Sequence, residues 1–241
     1  MPSASDEIVE HEPGDLTCVV GGGLRLASLQ AALGLHGQRL SLDPPGDPTI
    51  EECLVEDLSG PLRHRFGTMR DLVLGVTVTL ADGTRATSGG KVVKNVAGYD
   101  LGKLFCGSRG RLGRVEQLAL RLHPLPAAAH SVSTDASRWP ELRRSTLVPS
   151  AVDIADGRMF VLFEGSARAV AEQAAELGGE AVEPWAGMRT LQASLAGRGR
   201  WDGGAAPLVR PGPRVAYTER PGDERWSPLA ERVVESLCSP T

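Results

Sequence analysis

Apolar positions along this chain alternate between a two-residue and a three-to-four-residue rhythm, and the alternation predicts strands and helices in mixed order. Leu16–Val20 reads as a short strand. Leu26, Leu29, Ala32 and Leu33 carry helical spacing within Leu24–Leu35, which ends near Gly34 and Gly37. Gln38–Leu42 reads as another strand, and the proline-rich Asp43–Pro48 as a loop, because each proline fixes φ and removes a donor. Thr49-Ile50-Glu51-Glu52 fits a capping box, predicting a helix to about Leu58 that stops at Ser59-Gly60-Pro61. Leu72–Leu80 is a strong strand, with Asp82-Gly83 turning into Thr84–Ser88. Tyr99–Phe105 reads as a short helix and Leu112–Leu122 as a second strong strand. Further on come a strand over Ala151–Ile154, a turn at Asp156-Gly157 and a strand over Met159–Glu164. A helix over Ser166–Leu177 follows, closed by Gly178-Gly179. A hairpin followed by a helix is the unit of a small α+β layer. The Gly/Arg/Pro stretch Gly197–Pro213 reads as irregular or partly disordered, and Ser227–Leu237 as a terminal helix.

The 241 residues suit one large domain or two small ones, and the alanine-rich stretch after Pro126 predicts a boundary between 1–127 and 128–241. Charge is unevenly spread: residues 1–57 carry about −9, residues 58–121 about +7 and the remainder about −2. A net charge of −4 argues against a general nucleic-acid binder. The basic middle segment has two readings, a cradle for an anionic ligand or solvated arginines balancing an acidic start. The N-terminal Met-Pro-Ser-Ala-Ser-Asp-Glu has neither a basic nor an apolar leader region, and no apolar run reaches the ~20 residues of a membrane helix. Cys18, Cys53, Cys106 and Cys238 lie far apart, which disfavours a metal or iron–sulfur site and fits buried thiols in a reducing cytoplasm.

Gly21-Gly22-Gly23 between a strand and a helix invites a phosphate-loop reading, but it lacks G-x-G-x-x-G and any Lys-Ser/Thr. A tight strand-to-helix turn explains it as well. Gly107-Ser108-Arg109-Gly110-Arg111-Leu112-Gly113 is followed by a strand rather than a helix, the reverse of a Rossmann site. The five histidines are isolated, and the sequence assigns no catalytic residue.

The densest signal runs through Gly60–Pro126. Three runs carry it: Arg65, Gly67, Arg70, Asp71 and Gly75; Gly89–Leu101 (GGKVVKNVAGYDL); and Leu104–Gly113 (LFCGSRGRLG). This stretch resembles the second half of the FAD-binding domain of the vanillyl-alcohol oxidase / p-cresol methylhydroxylase (PCMH) family, nearest in pattern to the FAD-binding subunit of glycolate oxidases. The resemblance implies an α+β fold, the second half of a PCMH-type domain followed by a shortened α+β cap. It implies FAD as cofactor, with Thr49, Ser59, Gly60, Gly67, Tyr99, Gly107, Ser108, Gly113 and Val115 along the cofactor's path. Lys91 and Lys94 are candidates for balancing its charge; for Tyr99 a core aromatic with a satisfied hydroxyl is the alternative. It further implies oxidation of a small 2-hydroxy acid, with a separate iron–sulfur subunit and a second flavin subunit as partners.

Two departures set an alternative beside that expectation. The family's N-terminal pyrophosphate-loop subdomain would precede the first strand here. The family's Thr-x-Gly-Gly stands as Thr49-Ile50-Glu51-Glu52. A carboxylate about 4 Å from a phosphate costs on the order of 4 kcal/mol at an effective dielectric of ~20, more than the ~0.3–1 kcal/mol a helix dipole returns. Repulsion therefore wins unless both side chains point away. The alternative is a degenerate or truncated relative, without flavin, that serves as a structural subunit. Arg63, His64 and Arg65 are cationic enough to meet a substrate carboxylate, and a solvent-facing turn explains them equally well.

Overall fold

A computed structural model describes residues 5–90 and 101–219. In chain order the elements are β1 (Ile8–Glu12), β2 (Thr17–Gly21), α1 (Leu26–Gly34), β3 (Gln38–Arg39), α2 (Ile50–Val55), α3 (Arg63–Phe66), α4 (Met69–Leu72) and β4 (Val73–Leu80). Then follow β5 (Arg85–Gly89), α5 (Leu101–Phe105), β6 (Gly113–Arg121), β7 (His123–Pro124), β8 (Ala128–Asp135), α6 (Trp139–Arg144), β9 (Ala151–Ala155) and β10 (Arg158–Gly165). The last are α7 (Ala167–Leu177), β11 (Glu180–Ala181), α8 (Trp185–Ser194), β12 (Gly197–Arg200), β13 (Leu208–Arg210) and β14 (Val215–Thr218).

The chain divides into two compact units. Among the described residues, the first takes those up to Ser59 and Gly67–Leu125, and the second takes Gly60–Phe66 and those from Pro126 to Glu219. The first unit is built on an antiparallel sheet in the order β1-β2-β6-β4-β5. Helices α1 and α2 cover it. Leu26, Leu29 and Leu33 of α1, and Ile50, Cys53 and Leu54 of α2, are buried in one core with Val76, Val78, Val115, Leu118 and Leu120 of the sheet. The spacing of three and four residues that puts Leu26, Leu29 and Leu33 on one face of α1 is the pattern read from the sequence.

Several boundaries differ from expectation, each for a local reason. Leu72 closes α4 rather than opening β4, because Thr68 caps that helix and Asp71 returns the bond to the Thr68 N–H at 2.8 Å. Helix α2 stops at Val55, short of Leu58, because Asp57 takes a left-handed φ of 48°. The expected strand Gln38–Leu42 shrinks to β3, since the Leu40 and Leu42 carbonyls accept the Gln30 side-chain amide at 2.6 and 3.3 Å instead of a ladder partner. Strand β1, IVEHE, carries no clear apolar alternation in its sequence.

The second unit carries a sheet in the order β11-β8-β10-β9-β13-β14-β12. Helix α7 lays Val170, Ala174 and Leu177 over Val132, Val152, Val161 and Phe163. Gly197–Pro213, expected to be irregular, instead contains β12 and β13, both paired with β14. Glycine and arginine dilute the apolar alternation there, so pairing with distant strands decides the structure. The terminal helix Ser227–Leu237 lies outside the described residues.

Candidate functional site

Helix α2 is the hub of the first unit's candidate site. Thr49 is its N-cap: the hydroxyl accepts from Glu52 N at 3.1 Å, and the Glu52 carboxylate accepts from Thr49 N at 2.6 Å. Both polar groups of Thr49 are thereby used within the cap, and Glu52 is folded back on its own helix end. Glu51 behaves differently. Its backbone N–H donates to Gly22 O at 2.9 Å, and its carboxylate accepts the Val115 N–H at 2.8 Å across 64 residues.

The origin of that bond lies in the sheet. β4 and β6 slip register between Thr77 opposite Gln117 and Val78 opposite Val115, a bulge that leaves Glu116 as the extra residue. The Glu116 carbonyl turns out to accept the Gly22 N–H at 2.8 Å. A hydrogen bond to an ionised acceptor is worth about 1.5–3 kcal/mol, and Glu51 supplies one to the Val115 N–H. Gly22 is required at this junction: a Cβ there would drive into the Val115 carbonyl and press on the Glu51 Cβ at 3.3 Å. The glycine turn is therefore a packing joint. Its N–H groups are taken by the carbonyls of Glu7, Glu116 and Ser5, so it presents no free cradle of backbone donors.

The other end of α2 holds the Gly107–Arg109 turn. Gly107 N donates to Leu54 O at 3.0 Å and Arg109 N to Val55 O at 2.8 Å. Ser108, between them, is 1% exposed, and its Oγ has no hydrogen-bond partner among the described residues. A buried hydroxyl without a partner costs free energy unless something else satisfies it. Among the described residues of this site, it is the one buried side-chain polar atom without a hydrogen-bond partner.

The other residues on the predicted cofactor path fall as follows. Gly113 opens β6 at φ 132°, where a side chain would strike the Thr79 carbonyl of β4. Gly67 precedes the Thr68 cap at φ 78°, packed on the Asp71 carboxylate. Ser59 is buried in the first unit, whereas Gly60 belongs to the second, its carbonyl accepting Arg63 N at 3.1 Å. Tyr99, Lys91 and Lys94 lie outside the described residues. Thus Thr49, Gly107, Ser108 and Val115 gather around α2, while Gly67 and Gly113 serve joints of their own.

Burial favours the protonated form of the described thiols of this unit. Burial pushes Cys18 and Cys53 up to about 12, and burial beside Asp57 pushes Cys106 higher still. Cys106 Sγ donates to Asp57 Oδ1 at 3.3 Å. Among the described residues no cluster of His, Cys, Asp and Glu could hold a metal ion.

In the second unit, Arg65 donates to Ser150 Oγ at 3.3 Å and Glu164 O at 3.5 Å, so it is part of that unit's framework. His64 is half-buried against Trp139 and Gly212, burial lowers its pKa, and its Nδ1 meets no partner among the described residues. Sequence reasoning missed a network altogether. Arg210, fully buried, donates to Asp153 Oδ1 at 3.0 Å and Oδ2 at 3.3 Å, to Tyr217 Oη at 2.6 Å and to Gln192 Oε1 at 2.8 Å. The available signal was a lone charge at an inward position of each strand, Asp153 in AVDIA and Arg210 in LVR.

Comparison with known proteins places this geometry. Residues 3–89 match the model of a family described as an FAD binding domain. The fold is similar to part of alkyldihydroxyacetonephosphate synthase, with a TM-score of 0.60 at 17% identity over 71% of this chain and 39% of that one. Apart from Gly60–Phe66, the matched residues lie in the first unit, so this unit is similar in sequence to an FAD binding domain. Among curated proteins, the chain is 33% identical to glycolate oxidase subunit GlcE of Escherichia coli, over 77% of this chain and 56% of the relative. It is 29% identical to a mitochondrial D-lactate dehydrogenase (cytochrome) of Saccharomyces cerevisiae, over 67% of this chain and 29% of the relative. The chain thus spans about half the length of the first and under a third of the second. No helix among the described residues is long and apolar enough to cross a membrane.

Proposed function

We propose that this chain is a subunit of an FAD-linked oxidoreductase that oxidises a small 2-hydroxy acid. The observation that carries the reading is chemical agreement between relatives: glycolate and D-lactate, named in two proteins that match over most of this chain, share the 2-hydroxy carboxylate. Residues of the α2 hub fit the cofactor in part. Ser108 keeps a buried hydroxyl free for it, and the Val115 N–H faces a negatively charged acceptor. When bound, FAD supplies the hydride acceptor. The chain's own contribution is to position it through the α2 hub. The relative's designation as a subunit supports an assembly, in which a separate iron–sulfur subunit and a second flavin subunit would carry electrons onward. A second reading, a structural subunit that holds no flavin, is favoured by Glu51 and by the closed glycine turn.

The test is to load the purified chain with FAD, remove excess, and record flavin absorption anaerobically before and after glycolate or D-lactate. Bleaching of bound flavin is the expected result. Bound flavin that neither hydroxy acid bleaches, alone or with co-purified partners, overturns the substrate assignment.

A further inference from the structure

We propose that Glu51 is a built-in competitor for the flavin site. Its carboxylate holds the Val115 N–H that the cofactor would otherwise take, so the chain binds FAD weakly as it stands and tightly once Glu51 is removed or neutralised. The proposal rests on the assignment of FAD to the first unit made above.

The argument starts from what fixes Glu51 in place. Its backbone N–H is tied to Gly22 O, so the first turn of α2 cannot retreat from β6. Its side chain spans from that turn to the bulged stretch of β6, where its carboxylate accepts the Val115 N–H. A phosphate or a ring acceptor seeking the same N–H meets two obstacles, an occupied donor and a like charge or a second acceptor in the same space. Glu52, one residue on, presents neither obstacle, because its carboxylate is turned into the Thr49 cap. The effect is therefore specific to one of two adjacent glutamates. Meanwhile the Ser108 hydroxyl, on the turn gripped by the far end of α2, is buried without a partner among the described residues. The hub thus holds one polar group awaiting a ligand and one already satisfied from within.

The experiment is FAD titration by fluorescence quenching on the full chain and its Glu51→Gly, Glu51→Gln and Glu52→Gln variants. It is paired with amide hydrogen exchange of the segment containing Val115, with and without FAD. We expect Glu51→Gly to bind FAD about 10- to 100-fold more tightly than the unaltered chain, the factor matching release of one charge-assisted hydrogen bond. FAD should then slow exchange at Val115 in that variant. Glu51→Gln keeps an acceptor for Val115 N–H and so preserves the joint; it should show a smaller gain in the same direction, and Glu52→Gln none. Equal, saturable binding by the unaltered chain and both Glu51 variants overturns the proposal and leaves FAD binding standing. A gain in Glu52→Gln but not at Glu51 also overturns it. No saturable quenching in any folded variant overturns both the proposal and the assignment of FAD to this chain.

Discussion

Glu51 in the first unit and Asp153 in the second are both carboxylates bonded to a partner far along the chain, yet their surroundings differ in kind. Asp153 is fully buried and faces a guanidinium on both oxygens; that guanidinium is itself held by Tyr217 and Gln192. Burial pushes its carboxyl upward while Arg210 pulls the other way. Glu51 is partly exposed, and the acceptor bond it makes runs to a single backbone N–H. A charge locked among several fixed partners can only be structural, because nothing can replace one partner without stranding the rest. A charge on one neutral donor can be exchanged for a ligand at the cost of one bond. The difference teaches where to look for function: in the sparsely held carboxylate rather than the deeply buried one.

The comparison breaks most readily at Arg210. Arg210→Met should destabilise the protein by about 3–5 kcal/mol in urea denaturation, since it leaves Asp153 buried and uncompensated. Adding Asp153→Asn should restore a substantial part. A single-variant cost below about 1 kcal/mol would mean that water reaches Asp153 and that the contrast with Glu51 is false.

The contrast sharpens at Thr49. Thr49→Ala removes the hydroxyl that caps α2 and should cost about 1 kcal/mol in the same assay. It should not raise FAD affinity, because Glu51 stays on Val115. A gain there comparable to that of Glu51→Gly would assign the blocking role to the cap as a whole.

The smallest expected effect is pH-dependent. Burial holds the His64 imidazole below its ordinary 6.5, so the unfolded chain takes up that proton first as pH falls. The stability associated with neutral His64 is therefore complete above about pH 6.5 and is lost progressively below it. Thermal unfolding between pH 5 and 7.5 should show a shallower slope in His64→Phe than in the unaltered chain. An identical slope would place this histidine in contact with water.

What the sequence disclosed about these regions follows the range of the forces involved. The Thr49–Glu52 cap, the Asp82-Gly83 turn and helix α7 with its closing Gly178 were legible because each is decided within a few residues. The Glu-rich β1 hid behind weak alternation, and β12 and β13 behind glycine and arginine. The flavin fold was legible from dense local motifs, but the partner of Glu51 was not. Whether that carboxylate faces Val115 depends on a bulge 64 residues away, and no spacing rule reaches so far. For the same reason Arg210 could not be paired with Asp153 across 57 residues.

The excursion of Gly60–Phe66 into the second unit has a consequence in time. Arg65 bonds Ser150, made 85 residues later. At a synthesis rate of about 5–20 residues per second, α3 leaves the ribosome some 4–17 s before its acceptor exists. During that interval Gly67–Leu125, the rest of the first unit, is being made. The rest of the first unit can thus be complete before the acceptor of α3 exists, and α3 joins the second unit only once the chain beyond Pro126 has been made.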